Sequence, residues 1–370
     1  MGKLFEKTRI NGMDLANRFV RSATWEGMAA EDGSCTPKLI GLMKSLAEGG
    51  VGLIITGLSY VTRESQAAPW QMGAAGDDHL TGLKAMADAV HGAGGKIALQ
   101  IAHGGCYSMS QLTGRETVAP SGNDSDLFPL CREMTVAEIG GVVRAFGASA
   151  LLAKKAGFDA VQIHAAHGYL LSQFLSPFFN RRSDVYGGPI ENRARAVLET
   201  VREVRYLVGR EYPVLIKINS EDFVPNGLTV DEMLLVAGML EFEGIDAIEM
   251  SGGTVFASGA FSAIRMGSFD TPDKEVFYRE AASRFKEIVK VPLMLVGGIR
   301  SPEVAEKLVN DGVADYISLS RPLIREPGLI NRWRSGDLRR SRCISDNACF
   351  GPARKGEGLY CVPEKLKPKD

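Results

Sequence analysis

Short apolar runs alternate with longer amphipathic stretches along the whole chain. The runs are rich in β-branched residues, which is typical of buried parallel strands. Eight of them predict strands, at residues 18–21, 52–56, 96–100, 160–163, 214–218, 247–250, 293–296 and 316–319. Helical periodicity is clear in the stretches between several of these runs, at residues 135–156, 191–208, 230–243 and 302–310.

Two of the predicted helices carry sequence signals that mark where a helix begins or ends. Thr135 is followed three residues later by Glu138, the spacing of a capping box, and Gly157 ends the same pattern. Ser301 stands at the N-cap position before Pro302, which occupies the first helical position. These signals predict where the helices begin and end.

The order of the elements predicts the fold class. Strand and helix alternate eight times without a Pro/Ser-rich linker, which favours an α/β fold of the (β/α)8 TIM barrel type over residues 1–335. A C-terminal extension with cysteines follows at 336–370. The alternative is an open doubly wound sheet, but no G-x-G-x-x-G turn follows the first strand. Segments 104–132 and 251–273 follow strands and are expected on the catalytic face.

The composition indicates a globular protein and gives no sign of a nucleic-acid partner. The chain has 370 residues, 45% hydrophobic and 24% charged, with 43 basic against 44 acidic side chains, so no basic footprint for nucleic acid is present. Residues 1–11 do not resemble a signal peptide, and about 18 apolar residues never run together. We therefore expect a cytoplasmic homo-oligomer that acts on a small molecule, away from membranes. The six cysteines are too unevenly spaced for a disulfide framework.

Polar residues gather where the predicted strands end, which in a barrel is where function lies. They are Ser22, Ala23, Thr24, Gln100, His103, His164, His167, Tyr169, Lys217, Asn219, Ser251, Gly252, Gly253, Gly297, Gly298, Ser320 and Arg321. Gly297-Gly298 and Arg321 follow strands seven and eight, where barrels often bind phosphate. The alternative is a tight turn beside a surface cation.

One stretch of sequence carries a family resemblance. It runs from His164-Ala165-Ala166-His167-Gly168-Tyr169 to Asp184-Val185-Tyr186-Gly187-Gly188 and Glu191-Asn192-Arg193. Together with Gln100-Ile101-Ala102-His103-Gly104 and Val296-Gly297-Gly298-Ile299-Arg300, it resembles the signature of the Old Yellow Enzyme flavoproteins. The likeness covers nearly the whole chain and is strongest to the branch of 2,4-dienoyl-CoA reductases and enoate reductases.

The resemblance implies an FMN-dependent barrel that reduces activated C=C bonds with NAD(P)H. The residues that it assigns to the flavin are Ser22, Ala23, Thr24, Gly57, Gln100, Lys217, Ser251, Gly252, Gly297, Gly298, Ser320 and Arg321. Gly57 would give the ring room and Gln100 would bond the pyrimidine edge. Lys217 would stand beside flavin N1 and O2, where a fixed cation stabilises the reduced form. A structural ion pair is the alternative for Lys217.

His164, His167 and Tyr169 are the candidate catalytic residues. The two histidines can donate hydrogen bonds to a substrate carbonyl, bind a metal as an H-x-x-H pair, or sit in the core. We favour donors, because no carboxylate or thiol joins them at matched spacing. Tyr169 is then placed to protonate the α carbon, and a buried structural tyrosine is its alternative.

The sequence departs from the family in three places. Trp25, which we also expect at the substrate, stands where relatives carry Cys or Thr near the flavin, and residues 254–273 contain no His or Tyr to supply a second acid. Cys343, Cys349 and Cys361 resemble a [4Fe-4S] motif in which Asp346 replaces one ligand. A relic, a labile cluster and a zinc site stay open, in that order. The longer relatives' FAD/NAD domain has no counterpart, so a diffusing reductant is expected.

Two other functions compete with ene-reduction. A cofactor-free lyase or isomerase would hold a phosphorylated substrate at Gly298 and Arg321. A non-catalytic flavin module would transfer electrons without reducing an alkene. Flavin content and reoxidation by an acceptor separate the three.

Overall fold

The computed structural model describes residues 2–122, 129–255, 257, 259–267, 269 and 271–366. Within these ranges the strands are β1 Thr8–Ile10, β2 Met13–Leu15, β3 Phe19–Arg21, β4 Leu53–Ile55, β5 Ser59–Tyr60, β6 Ile97–Ala102, β7 Val118–Ala119, β8 Arg132–Glu133, β9 Ala160–Ala165, β10 Val214–Asn219, β11 Ala247–Ser251, β12 Leu293–Val296 and β13 Tyr316–Leu319. Parts of the two predicted catalytic-face segments, at 123–128, 256, 258, 268 and 270, lie outside the described residues.

Eight of these strands close into a parallel barrel, as the sequence predicts. The order around it is β4-β3-β13-β12-β11-β10-β9-β6, and β6 pairs again with β4 to close the ring. Each predicted run forms one barrel strand, and the structure extends the third to sixth runs by one or two residues at their carboxyl ends. The open-sheet alternative is therefore wrong.

The helices surround this barrel. They are α1 Pro37–Glu48, α2 Leu80–Gly92, α3 Ser110–Thr113, α4 Val136–Lys155, α5 Leu170–Leu175, α6 Ile190–Arg193, α7 Arg195–Val208, α8 Val230–Phe242, α9 Arg279–Ile288, α10 Pro302–Asn310, α11 Arg321–Arg325, α12 Leu329–Arg334, α13 Phe350–Arg354 and α14 Val362–Lys365. Their apolar faces pack on the outward side chains of the strands and form the main core.

The helix-end signals were right in one case and partly wrong in the other. Thr135 and Glu138 form the predicted capping box at the start of α4. Ser301 occupies the N-cap of α10 but makes no capping hydrogen bond. Its hydroxyl instead donates to Glu275 Oε1 at 2.5 Å. Hydrogen bonds to a carboxylate are stronger than hydrogen bonds between neutral groups. The predicted helix 191–208 is also divided at Ala194 into α6 and α7.

The helix α4 is long and apolar enough to cross a membrane by length and composition, with a mean hydropathy of 1.5. It packs against α7, β6 and β9 as one of the barrel helices. A core helix passes the same test of length and composition, so we interpret α4 as part of the barrel.

The amino-terminal hairpin closes one end of the barrel interior. β1 and β2 pair in antiparallel fashion, and Ile10, Met13 and Leu15 pack in one cluster with residues from the starts of the barrel strands. The hairpin therefore covers the end of the barrel at which the strands begin. The other end, at the carboxyl ends of the strands, is open, and the predicted site residues lie there.

Candidate active site

A cavity of about 400 Å³ opens at the carboxyl ends of the barrel strands. This volume lies within the range of small-molecule and cofactor sites. Most of the predicted site residues line it, namely Ser22, Ala23, Thr24, Trp25, Gln100, His164, His167, Tyr169, Lys217, Ser251, Gly297, Gly298, Ser320 and Arg321. The structure thus brings together residues from most of the barrel strands.

Gly57 and Gly252 do not line this cavity. A Cβ on Gly57 would crowd the Glu26 carboxylate and would lie 2.7 Å from the carbonyl oxygen of Thr24, and one on Gly252 would lie 2.6 Å from the ring of Tyr278. These glycines therefore make room for protein side chains and backbone.

Lys217 presents its ammonium to the cavity from the carboxyl half of β10. Its Nζ donates to Ser22 Oγ at 2.9 Å and lies 3.2 Å from Glu249 Oε2. The side chain is only 3% exposed, so the charge is held in a low-dielectric setting. The cation faces the cavity as the sequence predicts, and it also forms the ion pair that was the alternative.

A buried amide pair continues this network. Gln100 donates through Nε2 to Gln162 Oε1 at 2.7 Å, and Gln162 donates through Nε2 to Glu249 Oε2 at 3.0 Å. Sequence reasoning missed Gln162 and Glu249. The available signal was a polar residue inside each otherwise apolar strand, because an inward polar side chain in a barrel needs a partner.

His164 is a neutral hydrogen-bond donor. Its Nδ1 accepts from the backbone N–H of Ala166 at 3.3 Å, which leaves the proton on Nε2. Within the described residues Nε2 has no partner. Burial, aided by unfavourable electrostatic interactions of a protonated His164 ring with His167 and Lys217, holds the pKa of His164 well below its ordinary value. The ring therefore offers an N–H to the cavity at neutral pH.

His167 is held more firmly by the protein. Its Nε2 lies 2.7 Å from Ser251 Oγ, and its backbone N–H donates to Asn219 Oδ1 at 3.0 Å. Asn219 in turn donates to the buried Asp222 at 2.8 Å. These bonds fix His167 at φ 62°, a strained value for a residue with a side chain. Ser251, which the family resemblance assigns to the flavin, is thus hydrogen-bonded to His167 in this structure.

Tyr169 lies against His164, with ring centroids 4.9 Å apart. Its hydroxyl makes no hydrogen bond to any described residue, and burial raises the pKa of Tyr169 to about 12. The phenol therefore keeps its proton across the physiological range and presents it to the cavity.

We expect the two histidines to make folding stability depend on acidity. Burial lowers the pKa of His167 to about 3 and that of His164 in the same direction, whereas unfolded histidine titrates near pH 6.5. The unfolded chain then binds more protons below pH 6.5, so stability falls as pH falls. From pH 6 to pH 5, the free energy of unfolding of the natural chain should fall by about 2.4 kcal/mol more than that of the double variant His164→Ala/His167→Ala. Urea unfolding at the two pH values measures this slope, and equal slopes would contradict the assignment.

The last two strands supply a candidate anion-binding end, formed by Gly297, Gly298 and Arg321. Gly297 and Gly298 adopt φ of 130° and 77°, and a Cβ on either would crowd Tyr278 or Phe277, so glycine is required here. Arg321 donates through Nη1 to the carbonyl of Arg265 and to Asn347 Oδ1, both at 2.7 Å. These bonds aim its guanidinium along the cavity wall.

The residues present fit an anionic cofactor such as FMN. Lys217, Arg300, Arg321 and Arg354 line the cavity, and no Asp or Glu among the described residues does. Arg300 Nε and Nη1 are buried without a hydrogen-bond partner in the described part of the chain, as is the indole N–H of Trp25. Unpaired buried donors are costly, so they indicate a ligand that completes them.

The C-terminal extension reaches this cavity, which sequence reasoning did not foresee. Phe350 and Arg354 of α13 belong to its lining. The extension is anchored where Leu359 donates its backbone N–H to the Glu26 carbonyl at 2.8 Å. No sequence pattern indicates this contact, because it depends on how the extension folds back.

The three C-terminal cysteines lie close to one another at the surface of the barrel's carboxyl end. Cys343, Cys349 and Cys361 border a second, small cavity with Asp346, but among the described residues no three His, Cys, Asp or Glu side chains converge as ligands. Cys361 Sγ accepts from Arg325 Nη1 at 3.3 Å, and burial raises the pKa of Cys349 to about 11.

Comparison with known proteins places these features in context. Residues 3–338 match the model of the NADH:flavin oxidoreductase / NADH oxidase family. The chain is 36% identical over 357 residues to an NADH oxidase from Thermoanaerobacter brockii, a match that covers 94% of this chain and 53% of that protein.

Two solved structures are similar in fold. A 2-naphthoyl-CoA reductase in complex with 2-naphthoyl-CoA superposes with a TM-score of 0.88 at 28% identity, over 97% of this chain and 56% of that one. An Old Yellow Enzyme homologue from Zymomonas mobilis gives a TM-score of 0.78 at 28% identity, over 92% of this chain and 95% of that one. The chain spans about half the length of the NADH oxidase and of the naphthoyl-CoA reductase.

Proposed function

The chain belongs to the NADH:flavin oxidoreductase / NADH oxidase family, and we propose that it is an FMN-dependent enzyme that uses NAD(P)H to reduce activated C=C bonds. Enones, enoates and enoyl thioesters are the substrate classes. We also propose that it acts in the cytoplasm as a homo-oligomer, with residues 1–335 as the catalytic barrel and 336–370 as an extension.

One observation carries this proposal. A buried cation, a free imidazole N–H and a free phenol, from Lys217, His164 and Tyr169, line the same cavity. A carbonyl-conjugated alkene needs a donor at its oxygen and an acid at its α carbon, and these groups supply both.

FMN, when bound, supplies hydride transfer from NAD(P)H to the β carbon of the substrate. The residues placed to hold it are Lys217, Gln100 and Ser22 at one end and Gly298, Arg300 and Arg321 at the other.

The protein's own side chains handle the substrate and the proton. His164 donates from Nε2 to the substrate carbonyl oxygen and polarises the conjugated bond. His167, fixed by Ser251 and Asn219, limits where that oxygen can lie. Tyr169 then gives its Oη proton to the α carbon and regains one from solvent. Its pKa, raised to about 12, keeps the phenol protonated until the enolate-like intermediate takes the proton.

Anaerobic spectroscopy tests the proposal. The purified protein should be yellow, lose its visible flavin absorption on addition of NAD(P)H, and regain it on addition of an enone, cinnamate or an enoyl thioester. A colourless, folded and active protein would support the lyase or isomerase alternative. A flavin that is reduced by NAD(P)H yet is reoxidised by none of these acceptors would instead show an electron-transfer module.

A further inference from the structure

The buried carboxylate of Glu249 lies directly behind the cation that faces the cavity. Glu249 is 0% exposed in β11, and it stands in register with Lys217 on the neighbouring strand. Its Oε2 is 3.2 Å from Lys217 Nζ. Lys217 lines the cavity and Glu249 does not, so the pair is a dipole with its positive end towards the ligand.

The surroundings keep this carboxylate ionised. Burial raises the pKa of Glu249, but the Lys217 ammonium and the hydrogen bonds that the carboxylate accepts outweigh burial, and its pKa lies below the ordinary value. One of those bonds comes from Gln162 at 3.0 Å. The other titratable groups near Lys217 are His164 and His167, and both are neutral. Glu249 is therefore the negative charge that offsets Lys217.

We propose that Glu249 is a positioning residue that sets the reduction potential of the bound flavin by offsetting the charge of Lys217. This inference rests on the proposed function, since it needs FMN at the cavity. The reduced flavin carries negative charge at its pyrimidine edge, which a nearby cation stabilises. The carboxylate behind Lys217 weakens that stabilisation and so keeps the potential low.

The pair also explains the amide relay to Gln100. Gln162 donates to Glu249 and accepts from Gln100, so its orientation is fixed by the carboxylate. Gln100 uses its Nε2 in this relay, which leaves its Oε1 to accept a hydrogen bond in the cavity. Glu249 thereby also fixes which atom of Gln100 faces the ligand.

Four variants test the charge argument by potentiometry at pH 6. Glu249→Gln should raise the ratio of reduced to oxidised flavin at a fixed dye potential by at least about tenfold, which is about 30 mV for a two-electron couple. Lys217→Met should lower that ratio by about as much. The double variant should fall between the two single ones, and Glu249→Asp should stay near the natural protein.

Controls separate electrostatic tuning from a purely structural role. Arg21 and Glu26 form another buried pair, 2.9 Å apart, that does not line the cavity. Glu26→Gln removes a buried carboxylate in the same way and should leave the potential unchanged. A fall in melting temperature for either single variant at the Lys217 pair, with recovery in the double variant, is expected because each single variant leaves a buried charge unpaired.

The outcomes are distinct. A potential in Glu249→Gln that equals or falls below that of the natural protein, with FMN bound, overturns this inference and leaves the proposed function standing. An equal shift in Glu26→Gln also overturns it. A protein that binds no FMN overturns the proposed function itself, while the melting-temperature cycle on the same variants still reports whether the Lys217–Glu249 pair exists.

Discussion

Substrate reduction should slow by at least about 100-fold when His164 and His167 are both replaced by alanine, whereas FMN should stay bound and reducible by NAD(P)H. Loss of preorganised donors to a developing oxyanion typically has this effect. Neither histidine contacts the anion-binding end at Gly298 and Arg321, so flavin retention should not depend on them. Rapid mixing of the reduced variant with an enone measures the step directly.

The single variants should differ, because the two rings are held differently. His164 has an N–H without a partner among the residues that the structure describes, whereas His167 Nε2 is bonded to Ser251 Oγ at 2.7 Å. His164→Ala should therefore account for most of the loss. His103 is a matched control, since it is a buried histidine that does not line the cavity. A double variant that reduces substrate at the natural rate would remove both histidines from the mechanism.

The barrel was predictable from the sequence because its strands are buried on both faces. Such strands appear as short apolar runs, and a polar residue just beyond each run marks the carboxyl end of a strand. His164 and Arg321 were found by that rule, whereas Lys217 lies one residue inside its run and was assigned to the flavin by the family resemblance. Glu249 and Gln162 were missed, because they lie inside runs where the apolar pattern hides a single polar residue.

Other features depend on contacts that a one-dimensional pattern does not contain. Phe350 and Arg354 reach the cavity only because the extension packs back on the loop after β3. Ser301 carries a capping signal, yet in the folded chain its hydroxyl donates to Glu275 and accepts no hydrogen bond from the helix. Gly57 is a glycine because Glu26 lies beside it, which is visible only once β3 and β4 are adjacent.

Tyr169→Phe should preserve FMN binding and flavin reduction by NAD(P)H but slow substrate reduction by about 100-fold or more, as loss of a general acid does. The ring packing survives, because Phe keeps the contacts with His164 and with Tyr107, whose ring centroid is 6.3 Å away. Only the proton donor is lost. Strongly activated acceptors, whose intermediates solvent protonates readily, should be affected least.

Tyr107→Phe is the matched control for this prediction, since Tyr107 packs against Tyr169 but does not line the cavity. It should leave both half-reactions close to the natural rates. Because residues 254–273 contain no His or Tyr, the sequence provides no second acid there to replace Tyr169. Stopped-flow measurement of each half-reaction separates the possible roles. A Tyr169→Phe variant that is slow in flavin reduction and normal in substrate reduction would contradict this role. It would show that the phenol acts in flavin reduction by the nicotinamide and does not protonate the substrate.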